Sequence, residues 1–184
     1  LLEGVMNAAE YVQASELDLW VVVHQREQLD WLKESRLGAP LSVWLKVDTG
    51  MHRLGVAPAD VEEILAELQE MQLPPAQRTR PELRNAPTVA SIVAMSHLAC
   101  ADEQEHAMSN QQRAVFTQVT RNFAGKKSLA NSAGILLGNA FHHDWVRPGI
   151  MLYGCSPRAD KTAEALGLKP VMRLIAPVIS VRAV

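Results

Sequence analysis

The sequence predicts an α/β fold with a parallel sheet and, within that class, part of a TIM (β/α)8 barrel. Short β-branched runs alternate with amphipathic segments, which is the order that crossovers between parallel strands require. Polar and charged side chains stand at successive predicted strand ends, as in barrels, where several strands contribute to one site. The sequence has no glycine-rich dinucleotide fingerprint, which disfavours a doubly wound sheet.

The individual elements follow from periodicity and from their end signals. The predicted strands cover residues 18–24, 42–47, 89–96, 128–131 and 145–150, and the predicted helices cover 26–36, 58–71 and 110–123. The run Leu1–Gly4 is predicted to be the tail of a further strand, and 74–81 a solvated loop rich in proline. Five strands and a tail fall short of the eight that close a barrel.

The period of the sequence changes near its C-terminal end. Residues 172–184 alternate in the manner of an exposed antiparallel strand. This change predicts a boundary, with 1–170 forming the partial barrel and 171–184 beginning a second, β-rich domain.

Composition disfavours several functional classes. The formal net charge of -2 argues against nucleic-acid or membrane-surface binding driven by charge. No apolar run reaches the ~20 residues of a spanning helix, and residues 1–10 lack the basic start of a signal peptide. The two cysteines form no disulfide framework, and the adjacent pair His142 and His143 has no metal-ligand spacing. We therefore expect a cytoplasmic protein without a metal site.

Two of the predicted strand ends carry groups that suit a phosphate. Ser132 offers a hydroxyl, and Gly149 and Ile150 offer backbone N–H groups beside Arg147. Barrels commonly bind phosphate in the loops after their last two strands, where backbone donors point at the anion. Either motif alone occurs in ordinary turns, but together and in this order they indicate a phosphate-bearing cofactor.

The other strand ends carry a basic cluster. Lys46 and Arg53 follow one strand and His97 follows another. Lys46 is compatible with a Schiff base to pyridoxal phosphate or with an ion pair to Asp48, and His97 with a core imidazole. Arg147 is compatible with an ordinary ion pair. Beside a pyridine nitrogen, however, an arginine would keep that nitrogen unprotonated, because guanidinium does not give up its proton, and the ring would be a weaker electron sink.

Four of these segments, in this order, resemble signature motifs of the alanine racemase family. They are Leu45–Gly55, Ser96–Ala99 with Ala101–Glu103, Ala130–Ser132, and Asp144–Gly154. Leu1–Gly4 and Val22–His24 are also similar, so the resemblance covers essentially the whole chain. It implies a barrel of which this chain supplies about strands three to eight, together with the beginning of the C-terminal β domain.

The resemblance also implies roles for individual residues. Arg147 corresponds to the partner of the pyridine nitrogen of pyridoxal 5'-phosphate, and His97 to a histidine that packs near the ring and hydrogen-bonds to that arginine. Ser132, Gly149 and Ile150 correspond to phosphate ligands, the last two through their backbone N–H groups.

Arg53 and Lys46 take related roles by the same resemblance. Arg53 corresponds to the arginine that contacts the cofactor's phenolic oxygen and the substrate carboxylate. Lys46 corresponds to a lysine that is often carbamylated and orients that arginine, and so is not the Schiff-base lysine.

Both catalytic bases are expected to be missing from this chain. In the family the Schiff-base lysine lies on the first barrel strand and the opposing tyrosine in the C-terminal domain of the partner subunit, and neither motif occurs in this sequence. Because racemisation needs a base on each face of the substrate Cα, the resemblance implies a central fragment that is inactive alone.

The implied function is pyridoxal-phosphate-dependent interconversion of L-alanine and D-alanine in a cytoplasmic homodimer, supplying D-alanine for peptidoglycan. Three alternatives stay open at this point. One is another barrel-type pyridoxal-phosphate enzyme, such as a broader racemase or a decarboxylase relative, and a second is a cofactor-carrier barrel. The third is a non-catalytic remnant that binds a phosphate compound or a protein partner.

Overall fold

A computed structural model of the protein describes residues 1–183 and contains one five-stranded parallel sheet. The strands are β1 (Val21–Val23), β2 (Leu41–Lys46), β3 (Val89–Met95), β4 (Lys126–Asn131) and β5 (Trp145–Arg147). Their order in the sheet is their order in the chain, and every neighbouring pair is parallel. A doubly wound sheet would reverse its order at a switch point, so this topology favours the barrel.

The helices are α1 (Ala8–Glu16), α2 (Arg26–Glu34), α3 (Val61–Met71), α4 (Ala107–Val119) and α5 (Ser132–Leu136). The predicted helices at 26–36 and 58–71 are confirmed, the second beginning with a 3₁₀ turn over Pro58–Asp60. The helix predicted over 110–123 begins three residues earlier, because the side chain of His106 caps it by accepting a hydrogen bond from the N–H of Met108.

Two helices were missed from the sequence. At the start of α1, the side chain of Asn7 accepts a hydrogen bond from the N–H of Glu10, and the Glu10 carboxylate accepts one from the N–H of Met6. This pair of bonds resembles a capping box, in which the N-cap and an acidic side chain three residues later bond to backbone N–H groups. Helix α5 is only five residues long, too short for a periodic pattern to reveal it.

The two faces of the sheet carry different side chains. Along β2, Val43 and Leu45 are fully buried in the core that packs the helices against the sheet. Trp44 and Lys46 occupy the alternate positions and so project from the opposite face.

That opposite face is strongly curved. The indoles of Trp20, Trp44 and Trp145 contact one another with centroid separations of 6.1–6.2 Å. Trp20 directly precedes the first strand and Trp145 begins the last, so side chains of the two edge strands meet across the interior. A flat five-stranded sheet would hold them four strand spacings of ~4.8 Å apart. The predicted partial barrel is therefore confirmed.

The two ends of the chain differ from their predictions. Leu1–Gly4 forms a turn, although Leu1 lies beside β1 as a strand tail would, because its carbonyl accepts from the N–H of Val22 at 3.1 Å. The strand predicted over 172–184 is wrong for 172–183, which have no regular secondary structure and pair with no strand among the described residues. Residue 184 lies outside the described residues, and the domain boundary near 170 stays a prediction.

The last barrel strand is shorter than predicted. It ends at Arg147, and Ile150–Tyr153 form a 3₁₀ turn. Pro148 lacks the N–H that a continuing ladder would use. None of the helices in residues 1–183 is long and apolar enough to cross a membrane.

Candidate functional site

A cleft of about 880 Å³ opens at the carboxyl ends of the strands. Its lining includes every residue to which the sequence assigned a role in the site: Lys46, Arg53, His97, Ser132, Arg147, Gly149 and Ile150. The carboxyl ends of parallel strands meet at one rim of a barrel, so residues that lie a hundred positions apart in the sequence share one surface.

One wall of the cleft is built around the hydroxyl of Ser132. This oxygen accepts from the backbone N–H of Gly149 at 2.7 Å and from that of Met151 at 3.3 Å. A Cβ added to Gly149 would lie 4.0 Å from the same oxygen, so a side chain there would project into the space between the two segments. We call Ser132, Gly149 and Ile150 the phosphate cradle.

Arg147 crosslinks three strand ends through its guanidinium. The group donates to the hydroxyl of Ser128 and to the carbonyls of Ser96 and Leu129. No carboxylate in residues 1–183 lies within 4.0 Å of it. Burial lowers the pKa of Arg147 to about 10, so the group stays charged at neutral pH. A half-buried cation without a counter-ion leaves the cleft positive.

The hydrogen bond expected between His97 and Arg147 is not formed. The guanidinium is turned toward Ser96 and Ser128, and the Nε2 atom of His97 instead lies 3.4 Å from the Nδ2 atom of Asn131. Burial, followed by the charges of Arg147, Arg53 and Lys46, lowers the pKa of His97 to about 4. The imidazole is therefore neutral at pH 7 and can accept from the amide.

Lys46 lies at the end of β2 with 6% of its surface exposed. Burial lowers its pKa, and the charges of Arg53 and Arg147 lower it further, while Asp48 acts in the opposite direction. The ion pair with Asp48 that the sequence left open is not formed, since no carboxylate among the described residues lies within 4.0 Å of the ammonium.

Asp48 instead organises the turn that delivers Arg53. Its carboxylate accepts from the N–H groups of Gly50 and His52 at 2.9 and 3.0 Å and contacts the Nδ1 atom of His52 at 3.0 Å. Burial alone would raise the pKa of Asp48, but these hydrogen bonds lower it overall. Gly55 has φ +142, and a Cβ there would come within 2.3 Å of the backbone nitrogen of Asp48, so only glycine fits.

A family model described as "Alanine racemase, N-terminal domain" matches residues 1–157, most of the chain. The chain belongs to the alanine racemase family.

Individual relatives agree with this assignment. The chain is 44% identical over 184 residues to the biosynthetic alanine racemase of Pseudomonas aeruginosa and 42% identical over 183 residues to the alanine racemase of Thioalkalivibrio sulfidiphilus. These matches cover 100% and 99% of this chain but 47% of each relative. The chain thus spans about half the length of the curated relatives it matches.

Solved structures of alanine racemases share the fold. The crystal structure of the P. aeruginosa biosynthetic enzyme superposes with a TM-score of 0.78 at 42% identity, covering 92% of this chain and 43% of that one. The Acinetobacter baumannii enzyme gives 0.77 at 33% identity, over 93% and 44%. The Bartonella henselae enzyme, whose structure has covalently bound pyridoxal phosphate, gives 0.67 at 28% identity, over 92% and 45%.

The donor set of this chain fits pyridoxal phosphate. The cradle holds the hydroxyl of Ser132 and the backbone N–H of Gly149 2.7 Å apart, the two kinds of donor that bind a phosphate, and the Gly149 position leaves room for one. The half-buried Arg147 supplies a fixed donor without a carboxylate partner, suited to an unprotonated ring nitrogen. Arg53 and Lys46 complete a wall that complements anionic oxygen atoms.

Asp102 and Arg158 are charged lining residues of the cleft to which the sequence assigned no role. Asp102 lies in the segment Ala101–Glu103 that carried the family resemblance, so a signal for it was present. Arg158 follows the last signature motif and pairs with Asp160 at 2.6 Å. Nothing in the local sequence around Arg158 pointed to the site.

Proposed function

We propose that this chain forms the cofactor-binding half of a pyridoxal-phosphate-dependent alanine racemase that interconverts L-alanine and D-alanine. The observation that carries the proposal is the convergence of the phosphate cradle and the three cations Lys46, Arg53 and Arg147 in one cleft. The relatives named alanine racemase support the same reaction. D-Alanine supply for the cell wall, a cytoplasmic location and assembly as a homodimer are parts of this proposal.

Pyridoxal phosphate, when bound, supplies an electron sink that makes the Cα proton of an amino acid acidic. The chain's own residues orient that group. The cradle would hold the phosphate, while Arg147 would donate to the ring nitrogen and leave it uncharged, because guanidinium does not release its proton at neutral pH. A ring with an unprotonated nitrogen withdraws electron density less strongly. This favours return of a proton to the substrate Cα over side reactions.

Arg53 would bind a carboxylate. It reaches the cleft on the Asp48 turn, and its forked guanidinium suits the substrate carboxylate or the phenolic oxygen of the cofactor. Lys46 lies close enough to Arg53 for the arginine's charge to lower the lysine pKa. Such a lysine is more often in the neutral, nucleophilic form that carbamylation requires, and we propose that it accepts this modification.

The proposal is tested in a chimaera, because both catalytic bases are assigned by resemblance to segments outside this chain. In this chimaera the chain replaces the matching residues of the P. aeruginosa biosynthetic enzyme. We expect it to bind pyridoxal phosphate and to convert either alanine enantiomer into the racemate, as measured by chiral chromatography.

A matched variant identifies the chain's contribution. Ser132→Ala removes the hydroxyl of the cradle and should weaken cofactor binding about tenfold, the effect of losing a hydrogen bond to a charged group. A chimaera that binds the cofactor and assembles but leaves L-alanine unchanged would contradict the racemase assignment. It would support the remaining alternative, a non-catalytic module that binds a phosphate compound.

A further inference from the structure

A buried amide on α4 lies behind the site. The side chain of Gln112 is 1% exposed, and each of its polar atoms is bonded. Its Oε1 atom accepts from the N–H of Ala99 at 2.8 Å, and its Nε2 atom donates to the carbonyl of His97 at 2.9 Å and to Thr49 Oγ1 at 3.2 Å. One side chain from the outer helix layer therefore holds the loop after β3 and the turn after β2.

The bonds continue from Thr49 in a single direction. Because the Nε2 group of Gln112 can only donate, the Thr49 hydroxyl is free to donate onward to Ser96 Oγ, 2.8 Å away. Ser96 Oγ in turn donates to the carbonyl of Val47 at 2.8 Å. Thr49 and Ser96 are 7% and 1% exposed, so this relay runs through the interior, where hydrogen bonds in series strengthen one another.

The relay reaches each cationic part of the cleft. Val47 directly follows Lys46, Thr49 lies at the start of the turn that carries Arg53, and the carbonyl of Ser96 accepts from Arg147. The turn also packs against α4, since a Cβ on Gly50 would lie 3.8 Å from the Cγ atom of Gln112. The phosphate cradle, in contrast, takes none of these bonds and is held by Ser132.

We propose that Gln112, acting through Thr49, is a positioning residue for the ring-binding side of the cleft. It fixes the turn that carries Arg53 relative to the loop that carries His97, while touching neither cofactor nor substrate. The inference rests on the proposed binding of pyridoxal phosphate.

The geometry makes a selective prediction. Loss of the relay should loosen the groups around the cofactor ring and leave the phosphate cradle intact. A residue that only supports folding would change the affinity for both parts of the ligand equally or not at all. Two probes separate these cases: pyridoxine 5'-phosphate, which has ring and phosphate but no aldehyde, and inorganic phosphate.

The experiment is calorimetric titration of the chimaera stripped of its cofactor. Thr49→Val removes the hydroxyl at nearly constant shape, whereas Thr49→Ser keeps it, and Gln112→Met removes the amide. Gln111→Met is the matched control on the exposed side of the same helix. We expect Thr49→Val and Gln112→Met to weaken pyridoxine 5'-phosphate binding about five- to tenfold. Inorganic phosphate binding should stay within twofold of the parent, and Thr49→Ser and Gln111→Met should match the parent for both probes.

The outcomes separate the two proposals. If Gln112→Met does not fold, the pair Thr49→Val and Thr49→Ser decides, because these two variants differ by the relay hydroxyl and by the two methyl groups of valine. Equal binding of pyridoxine 5'-phosphate by the parent and Thr49→Val would overturn the positioning role and leave the proposed function intact, and so would an equal loss for both probes. A parent chimaera that binds neither probe would overturn the proposed function and the inference with it.

Discussion

Two levels of the same sheet face carry opposite chemistry. At the rim, Lys46 and Arg147 end their strands with charged groups that lie in the cleft. Two residues earlier in the same strands stand Trp44 and Trp145, whose indoles meet that of Trp20. Because successive side chains on one face of a strand are two residues apart, the indole level lies about 7 Å below the cationic level.

The difference shows how a partial barrel divides stability from binding. The indoles bury apolar surface against one another across the interior and hold the edge strands together. The guanidinium of Arg147 is held by hydroxyl and carbonyl oxygen atoms, which orient a charge without neutralising it. We therefore expect the upper level to bind an anionic ligand and the lower level to have little effect on the affinity for that ligand.

The largest effect is expected at the upper level. Arg147→Met in the chimaera removes a charge-assisted donor and leaves the carbonyl of Ser96 and the hydroxyl of Ser128 with one partner fewer. We expect pyridoxine 5'-phosphate to bind about 100-fold more weakly by calorimetry, from the lost donor and from the loosened strand ends together.

Arg147→Lys serves as its control. Lysine keeps the charge but lacks the rigid fork that reaches two strand ends at once, so we expect an affinity between those of the parent and Arg147→Met. Equal affinity of Arg147→Met and the parent would show that the upper level does not bind the ring.

The upper level was largely predictable from sequence, because each of its residues stands at a strand end and strand ends follow from local pattern. The order of the motifs, with the rule that parallel strands end at one rim, was enough to predict that one cleft contains Ser132, Arg147 and Gly149. Gln112 was not predictable in this way. It looks like any polar position of an amphipathic helix, and its role depends on which strand ends that helix happens to cover.

Arg78 illustrates the same limit away from the site. It lies in the stretch 74–81, predicted to be a solvated loop, yet it is 3% exposed. Its guanidinium donates to the carbonyls of Met71, Leu73 and Leu83, among others, and so orders the connection between α3 and β3. The prediction of solvation is wrong here, because the acceptors are backbone carbonyls and carry no sequence signal.

At the lower level we expect a smaller effect, on stability and not on ligand affinity. Trp44→Leu removes indole contacts with both Trp20 and Trp145. Because the Trp44 side chain is half-buried, we expect the free energy of unfolding to fall by about 2 kcal/mol. This corresponds to a few degrees in the melting temperature, measured by circular dichroism. Affinity for pyridoxine 5'-phosphate should change less than twofold. A large loss of affinity without a loss of stability would show that the two levels are not separate.

The smallest effect concerns His97, a titratable group of the cleft that is neutral at pH 7. The folded-state pKa of His97 is about 4, lowered by burial first and then by the neighbouring cations, against an unfolded value of about 6.5. Between these values the unfolded chain binds more protons at this residue than the folded chain. The stability that neutral His97 contributes is therefore complete above pH 6.5 and is lost as the pH falls toward 4.

His97→Gln, which does not titrate, isolates this contribution in the cofactor-free chimaera. When the pH falls from 7.5 to 5, we expect the free energy of unfolding to decrease more for the parent than for the variant. The difference should be at most about 2 kcal/mol, since each tenfold difference in proton affinity between the folded and unfolded chains is worth about 1.4 kcal/mol. Solvent screening of a partly exposed ring should reduce the difference further. Melting temperatures at the two pH values measure it. Identical pH dependence in both proteins would mean that neither burial nor the neighbouring cations lower the pKa of His97 in the folded chain, and would contradict the prediction.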